Sequence, residues 1–201
     1  MIDRYALRLL KPAIDGAAAR LYAGGCNADQ VTIAGFAIGL AASAAIAFGH
    51  PLIAIPLLLL SRAMDGLDGA LARLCGTTDR GAFLDIALDF LFYASVPLAF
   101  ALLDAHGNAL AAATLLAAFI GTGTSFLAFA IIAEKRGLKS TAYPTKTIYY
   151  LGGLTEGTET IACFVLMCLW PGHFTLVAYF YAALCAVTTV TRLGAGWTSF
   201  R

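Results

Sequence analysis

Six stretches of about 20 apolar residues, each closed by a short polar turn, dictate what this chain can fold into. Inside a bilayer no water satisfies backbone N–H and C=O groups, so spanning segments must be helices or strands of a closed barrel. Apolar runs of this length fit helices. They cover residues 29–49, 51–74, 79–103, 109–134, 145–170 and 174–194. Of the 201 residues, 60% are hydrophobic and only 12% charged, which excludes an ordinary soluble domain. No linker or low-complexity run interrupts the chain. The expectation is one all-α, polytopic membrane domain over residues 1–201, with neighbouring spans packed up-down against each other. With a net charge of +1, nothing points to a nucleic-acid partner.

The distribution of charge sets the orientation. All 13 Lys and Arg residues fall on one side of the six spans or in the half-spans nearest it, whereas His50, His106 and His173 fall on the other. The positive-inside rule then places both termini, the turn around residues 75–80 and the loop at 134–146 in the cytoplasm. Residues 1–24 differ from the rest. Ile2, Tyr5, Leu9, Leu10 and Ile14 alternate with Asp3, Arg4, Arg8, Lys11 and Asp15 at helical period, which fits an amphipathic helix on the membrane surface. Pro12 should kink or restart it. Charges throughout this segment argue against a cleavable signal peptide. Asp29 could cap the first span. The five cysteines show no metal-knuckle or redox spacing, so free thiols are expected.

Against this apolar background stand Asp65, Asp68, Asp85 and Asp89. A carboxylate within a span is costly and marks a functional site by default. Asp65 and Asp68 are three apart, Asp85 and Asp89 four apart, so each pair shares one helix face. If the turn centres on Thr77, Asp68 and Asp85 lie nine and eight residues from it, and Asp65 and Asp89 twelve each. At about 1.5 Å per residue these are two matched levels, roughly 13 and 18 Å from the turn. Four converging carboxylates need cations, and hard divalent ions prefer such oxygen ligands. On charge alone, the ion path of a cation-coupled transporter fits as well.

The context narrows this. Asp65-x-x-Asp68-Gly69-x-x-Ala72-Arg73, seven residues, then Gly81-x-x-x-Asp85-x-x-x-Asp89 resembles the signature of the CDP-alcohol phosphatidyltransferase family at every fixed position. The interfacial helix, six spans and cytoplasmic termini are also similar to small bacterial inner-membrane members. The resemblance implies metal-dependent transfer of a substituted phosphate from a CDP-alcohol, in lipid-making members CDP-diacylglycerol, to a small polar alcohol with release of CMP. A CDP-linked headgroup donating to diacylglycerol is the alternative. It implies that Asp65, Asp68, Asp85 and Asp89 hold two divalent cations, Mg2+ or Mn2+, and that Asp89 is the base for the acceptor hydroxyl. Gly69, Ala72, Arg73, Thr78 and Gly81 match positions that look like nucleotide contacts. Asp29 and Thr32 fall in a stretch that resembles the one closing over the cytidine, with Cys26 where the family more often has Pro. Arg73 could fork onto phosphate oxygens, with a snorkelling membrane anchor as the alternative, and Asp79 and Arg80 read as a solvated turn. Homodimers are common in the family, and Gly121, Gly123 and Ser125 of the fourth span would permit one.

The fifth span carries a second anomaly, Glu156 and Glu159, twelve and fifteen residues from Pro144. If the helix enters there, both reach roughly the depth of Asp65 and Asp89. They either line an acceptor pocket or belong to a buried pair, Glu159 with Arg62. A basic cluster of Lys135, Arg136, Lys139 and Lys146 competes as acceptor site, with Lys146 nearest the expected cavity and Arg192 able to join it. Anchoring to anionic membrane lipids is the simpler reading of Lys135 and Lys139. The acceptor itself stays unassigned.

Overall fold

The computed structural model describes residues 3–137 and 153–201, with the side chains of residues 3–10 left out. The expectations for Lys139, Lys146, the entry at Pro144 and the apolar–charged alternation of residues 2–10 lie outside the described residues.

Each helix begins where the local sequence supplies a start. After α1 (Asp3–Ala23), the Asn27 side chain accepts the Gln30 backbone N–H at 2.9 Å, and the Gln30 side chain accepts the Asn27 N–H at 3.2 Å. This reciprocal cap opens α2 (Ala28–Ala47). The cap is therefore Asn27 rather than Asp29, which falls inside the first turn and is released for another partner. Pro51 sits at the first position of α3 (Pro51–Cys75), where its missing N–H is harmless. Gly76, with φ of 93°, ends it. Thr78 accepts the Gly81 N–H at 3.0 Å and opens α4 (Asp79–Leu103). Asp104 caps α5 (Ala105–Lys135) through the His106 and Gly107 N–H groups. Then come α6 (Gly157–Leu169), a 3-10 turn at Pro171–His173 and α7 (Phe174–Ser199). Every described element is helical.

Four segments are long and apolar enough to cross a membrane: α2, α4, α5 and the stretch Pro171–Ser199. The 25 residues of α3 have the length, but Arg62, Asp65, Asp68 and Arg73 interrupt its apolarity. The fifth expected span departs from expectation. Gly153 to Glu156 are not helical, Glu156 is the extended residue before the helix (φ −100°, ψ −176°), and α6 has 13 residues. A Gly-Gly-Leu-Thr-Glu-Gly run disfavours helix, and at about 20 Å α6 alone is shorter than a bilayer core. Pro12 does not end α1, which continues through it.

The packing order also differs from simple neighbour-to-neighbour antiparallel pairing. α2 packs closely on both α3 and α4, while α3 and α4 approach each other far less. Gly35 and Gly39 explain why α2 is the shared partner. A Cβ on Gly35 would stand 2.9 Å from Met64 Cβ, and one on Gly39 2.5 Å from Phe92 Cδ2, so both neighbours use space only glycine leaves. The acidic faces of α3 and α4 thus flank a cleft floored by α2. Away from that cleft, Phe92, Phe100, Phe164 and Phe174 fill the main core, with Phe100 and Phe174 stacked at 4.5 Å. A smaller cluster of Ala18, Val31, Ala70 and Leu71 seats α1 on α2 and α3. The small residues of α5 are occupied within the chain: Gly121 faces Thr189 of α7, Gly123 faces Phe90 of α4, and Ser125 is buried. All five cysteines are free thiols.

Candidate active site

The four aspartates meet. Asp65 and Asp68 from α3 and Asp85 and Asp89 from α4 line one cavity of about 10 Å³ together with Thr32, Gly35 and Phe36 of α2, Ser61, Arg62 and Leu88. That volume is on the order of one water-sized sphere. Spacing along each helix set the acidic faces, and the short 76–78 turn turned them toward each other. Asp68 is 5% exposed, and its Oδ2 is buried with no hydrogen-bond partner among the described residues. Leaving a carboxylate oxygen in that state is expensive unless a cation arrives.

One cation is built in. Arg62 Nη1 donates to Asp89 Oδ1 at 2.5 Å and reaches Asp65 Oδ1 at 3.5 Å, so it links α4 and α3 across the cleft. Its Nη2 donates to Ser61 Oγ at 3.3 Å, and its Cζ lies 4.1 Å from the Phe92 ring centre and 5.6 Å from that of Tyr93. The alternative that paired Arg62 with Glu159 does not hold, because the guanidinium one turn from Asp65 reaches Asp89 instead. The i,i+3 spacing of Arg62 and Asp65 was the available signal; the partner on α4 had none.

The donor set of carboxylates, without His or Cys, and the orphaned Asp68 oxygen fit a hard divalent ion. As placed, however, no three His, Cys, Asp or Glu side chains among the described residues stand close enough to form a ligand cage. The residues fit an ion by chemistry and by convergence on one cavity.

The remaining expected residues fall into three places. Nearest the aspartates, Thr32 lines the cavity and its Oγ1 donates to Ala28 O at 3.0 Å. Toward the turn, Asp29, Thr78 and Gly81 come together: a Cβ on Gly81 would sit 3.1 Å from both Asp29 Oδ1 and Thr78 Oγ1. Asp29 also pairs with Arg80 at 2.6 Å, a contact that the solvated-turn reading of Arg80 missed. Gly69 and Ala72 follow Asp65 and Asp68 along the same face of α3. The exposed Arg73 lies 3.9 Å from Asp15 of α1, leaving its fork open to solvent.

Among the described residues, the acceptor candidates Glu156, Glu159 and Arg192 do not line the aspartate cavity. Glu156, 8% exposed, accepts the Gly153 N–H on Oε1 at 3.2 Å. Arg192, also 8% exposed, donates from Nη1 to Thr122 O at 3.1 Å, and its Nη2 would lie 3.1 Å from a Cβ on Gly153. Glu156 and Arg192 thus flank the non-helical backbone that precedes α6. Around them, Thr155 bonds Thr188 at 3.0 Å and Thr160 bonds Tyr181 at 2.7 Å. Glu159 lies in the first turn of α6. Irregular backbone at membrane depth is tolerated where it is buried in protein or lines a cavity.

Comparison with known proteins gives this geometry its context. The family model described as CDP-alcohol phosphatidyltransferase matches residues 26–191. An inner membrane protein of Escherichia coli, YnjF, is 50% identical over 201 residues, covering all of this chain and 98% of its own. In backbone the chain is similar to Mycobacterium tuberculosis phosphatidylinositol phosphate synthase solved with CDP-DAG bound (TM-score 0.73, 22% identity, 92% of this chain and 94% of the other). The same synthase in complex with manganese and citrate gives a TM-score of 0.72 at 22% identity, over 92% and 89% of the two chains.

Proposed function

Because the chain belongs to the CDP-alcohol phosphatidyltransferase family and is a transferase of that kind, we propose that it moves a phosphatidyl group from CDP-diacylglycerol to a small polar alcohol, releasing CMP. The observation that carries this is the convergence of Asp65, Asp68, Asp85 and Asp89 on one cavity. The choice of donor is supported by the likeness to a synthase solved with CDP-DAG bound.

In this reading the four aspartates hold two divalent ions, Mg2+ or Mn2+. Bound there, such ions neutralise diphosphate charge and stabilise attacking and leaving oxygens. The chain's own groups do the rest. Asp89 accepts the acceptor hydroxyl's proton as that oxygen attacks phosphorus and the bond to CMP breaks. Asp29, Thr32, Thr78 and Gly81 hold the nucleotide near the turn, and Gly69 and Ala72 keep the α3 face low enough for it to lie there. Arg73 offers its fork to phosphate oxygens. Lys146, Glu156, Glu159 and Arg192 receive the acceptor. Six spans with both termini and the cavity toward the cytoplasm follow from the positive-inside pattern, in a bacterial inner membrane.

The deciding experiment measures CMP release by purified protein with Mg2+ across a panel of polar alcohols, using CDP-diacylglycerol in one arm and a CDP-amino-alcohol with diacylglycerol in the other. CMP is expected in the first arm and lost in Asp89→Asn. Release only in the second arm would reverse the donor, and none in either would favour a non-enzyme such as a cation-coupled transporter.

A further inference from the structure

Arg62 sits where the proposed ions would have to bind. Its guanidinium touches Asp65 and Asp89, one from each acidic helix, and it is fixed from three other directions: by Ser61 Oγ, by the Phe92 face and by Tyr93. Ser61 is itself fully buried and anchored through a 2.8 Å bond to the Gly35 carbonyl of α2. The Arg62 side chain is only 16% exposed, against 37% for Asp65 and 33% for Asp89. A mobile surface counter-ion would have none of this support. A guanidinium stacked on an aromatic face and hydrogen-bonded through both Nη atoms is held in place.

We infer that Arg62 is a positioning residue of the aspartate cavity: it acts as a resident cation that orients Asp89 and Asp65 and limits how tightly a divalent ion can use them. This rests on the reading of the four aspartates as metal ligands. The reasoning is electrostatic. An ion that uses Asp65 or Asp89 must share the carboxylate with a fixed positive charge or displace it. Asp68 and Asp85, nearer the turn, carry no contact with Arg62. The cavity is therefore asymmetric: Arg62 occupies the Asp65 and Asp89 level, where a divalent ion is held at reduced affinity until an anionic diphosphate adds negative charge.

The test uses full-length protein in detergent and Mn2+ alone, followed by electron paramagnetic resonance titration, with no substrate and no turnover. Arg62→Met should bind Mn2+ at least about tenfold more tightly at one site, the lower end of what one neighbouring opposite charge does to a carboxylate's proton affinity. Its melting temperature in EDTA should fall, and Mn2+ should raise it by more than in the wild type. Arg62→Lys keeps the charge but loses the fork and the stacking, so it should lie between the two and covers the case of a Met variant that fails to fold. A purely structural arginine predicts the opposite sign, weaker Mn2+ binding when it is lost. Unchanged or weaker binding in both variants overturns the role of Arg62 while leaving the aspartates as ligands. A wild-type chain that binds no Mn2+ overturns both.

Discussion

Gly39→Ala adds one methyl group at the point where α2 supports the cleft, and its cost can be worked from the structure. The added Cβ would stand 2.5 Å from Phe92 Cδ2, 2.9 Å from Cε2 and 2.9 Å from Ser61 Oγ. Ordinary contact needs about 3.5 Å or more, so the Phe92 ring must retreat by roughly 1 Å. It has no room to do so, being fully buried against Tyr93 and Phe164. Overpacking of this kind costs about 1–3 kcal/mol, offset by up to ~1 kcal/mol from the better helix propensity of alanine. Gly194→Ala in α7 isolates that second part, because a Cβ there meets nothing within 4 Å. The pair should therefore differ by about 1–3 kcal/mol. For a chain of this size that is a gap of roughly 2–12 °C in melting temperature. Thermal unfolding of both variants in one detergent measures it. Because Phe92 carries Arg62, CMP release should fall in Gly39→Ala and not in Gly194→Ala. Equal melting temperatures would refute the close α2–α4 approach and with it the placement of the cleft floor.

Three further outcomes are expected. Asp68→Ala should weaken Mn2+ binding at least tenfold while raising the melting temperature in EDTA, since it removes a buried oxygen with no partner; isothermal titration and a melting curve on the same sample separate the two effects. Glu156→Gln keeps an oxygen to accept the Gly153 N–H, so it should change acceptor KM without changing donor KM; a lowered melting temperature with unaltered kinetics would assign the residue to structure alone. Asn27→Ala removes the reciprocal cap of α2 and should cost about 1 kcal/mol by thermal unfolding, whereas Asp29→Ala should leave helix capping intact and raise the KM for the CDP-linked donor.

What could be read from sequence was what depends on one helix at a time. The ends of α2, α3, α4 and α7 fall within a few residues of the apolar runs, because run length and capping residues are local. Convergence of the four aspartates was readable too, since i,i+3 and i,i+4 spacing around a three-residue turn leaves few other outcomes. Relations between helices were not. Nothing along α3 says that it leans on α2 rather than α4; that follows from Gly35 and Gly39, which look like any other small residues until Met64 and Phe92 are set against them. The partner of Arg62 depends on the same tilt. Glu156 was misplaced inside a helix because its apolar surroundings hid the weak helix propensity of the Gly-Gly-Leu-Thr-Glu-Gly run.

The helix that least resembles a membrane span is the one on which the site is built. α3 carries Arg62, Asp65, Asp68 and Arg73 within twelve positions, and in lipid each of those charges would be costly. The structure meets that cost with specific partners: Asp89 for Arg62, Asp15 for Arg73, and a cavity bounded by α2 and α4 for the aspartates. Both side-chain partners lie on other helices, so α3 is held in the bundle only when α1 and α4 are in place. It follows that the acidic cavity and the correct assembly of the bundle are one event, and that removing a carboxylate with no cationic partner on α3 should make the fold more tolerant even as it removes the chemistry. A stability gain in Asp68→Ala, paired with a loss in Arg62→Met, would show this coupling in both directions, because one removes a carboxylate whose buried Oδ2 has no hydrogen-bond partner and the other strands two carboxylates that had a guanidinium.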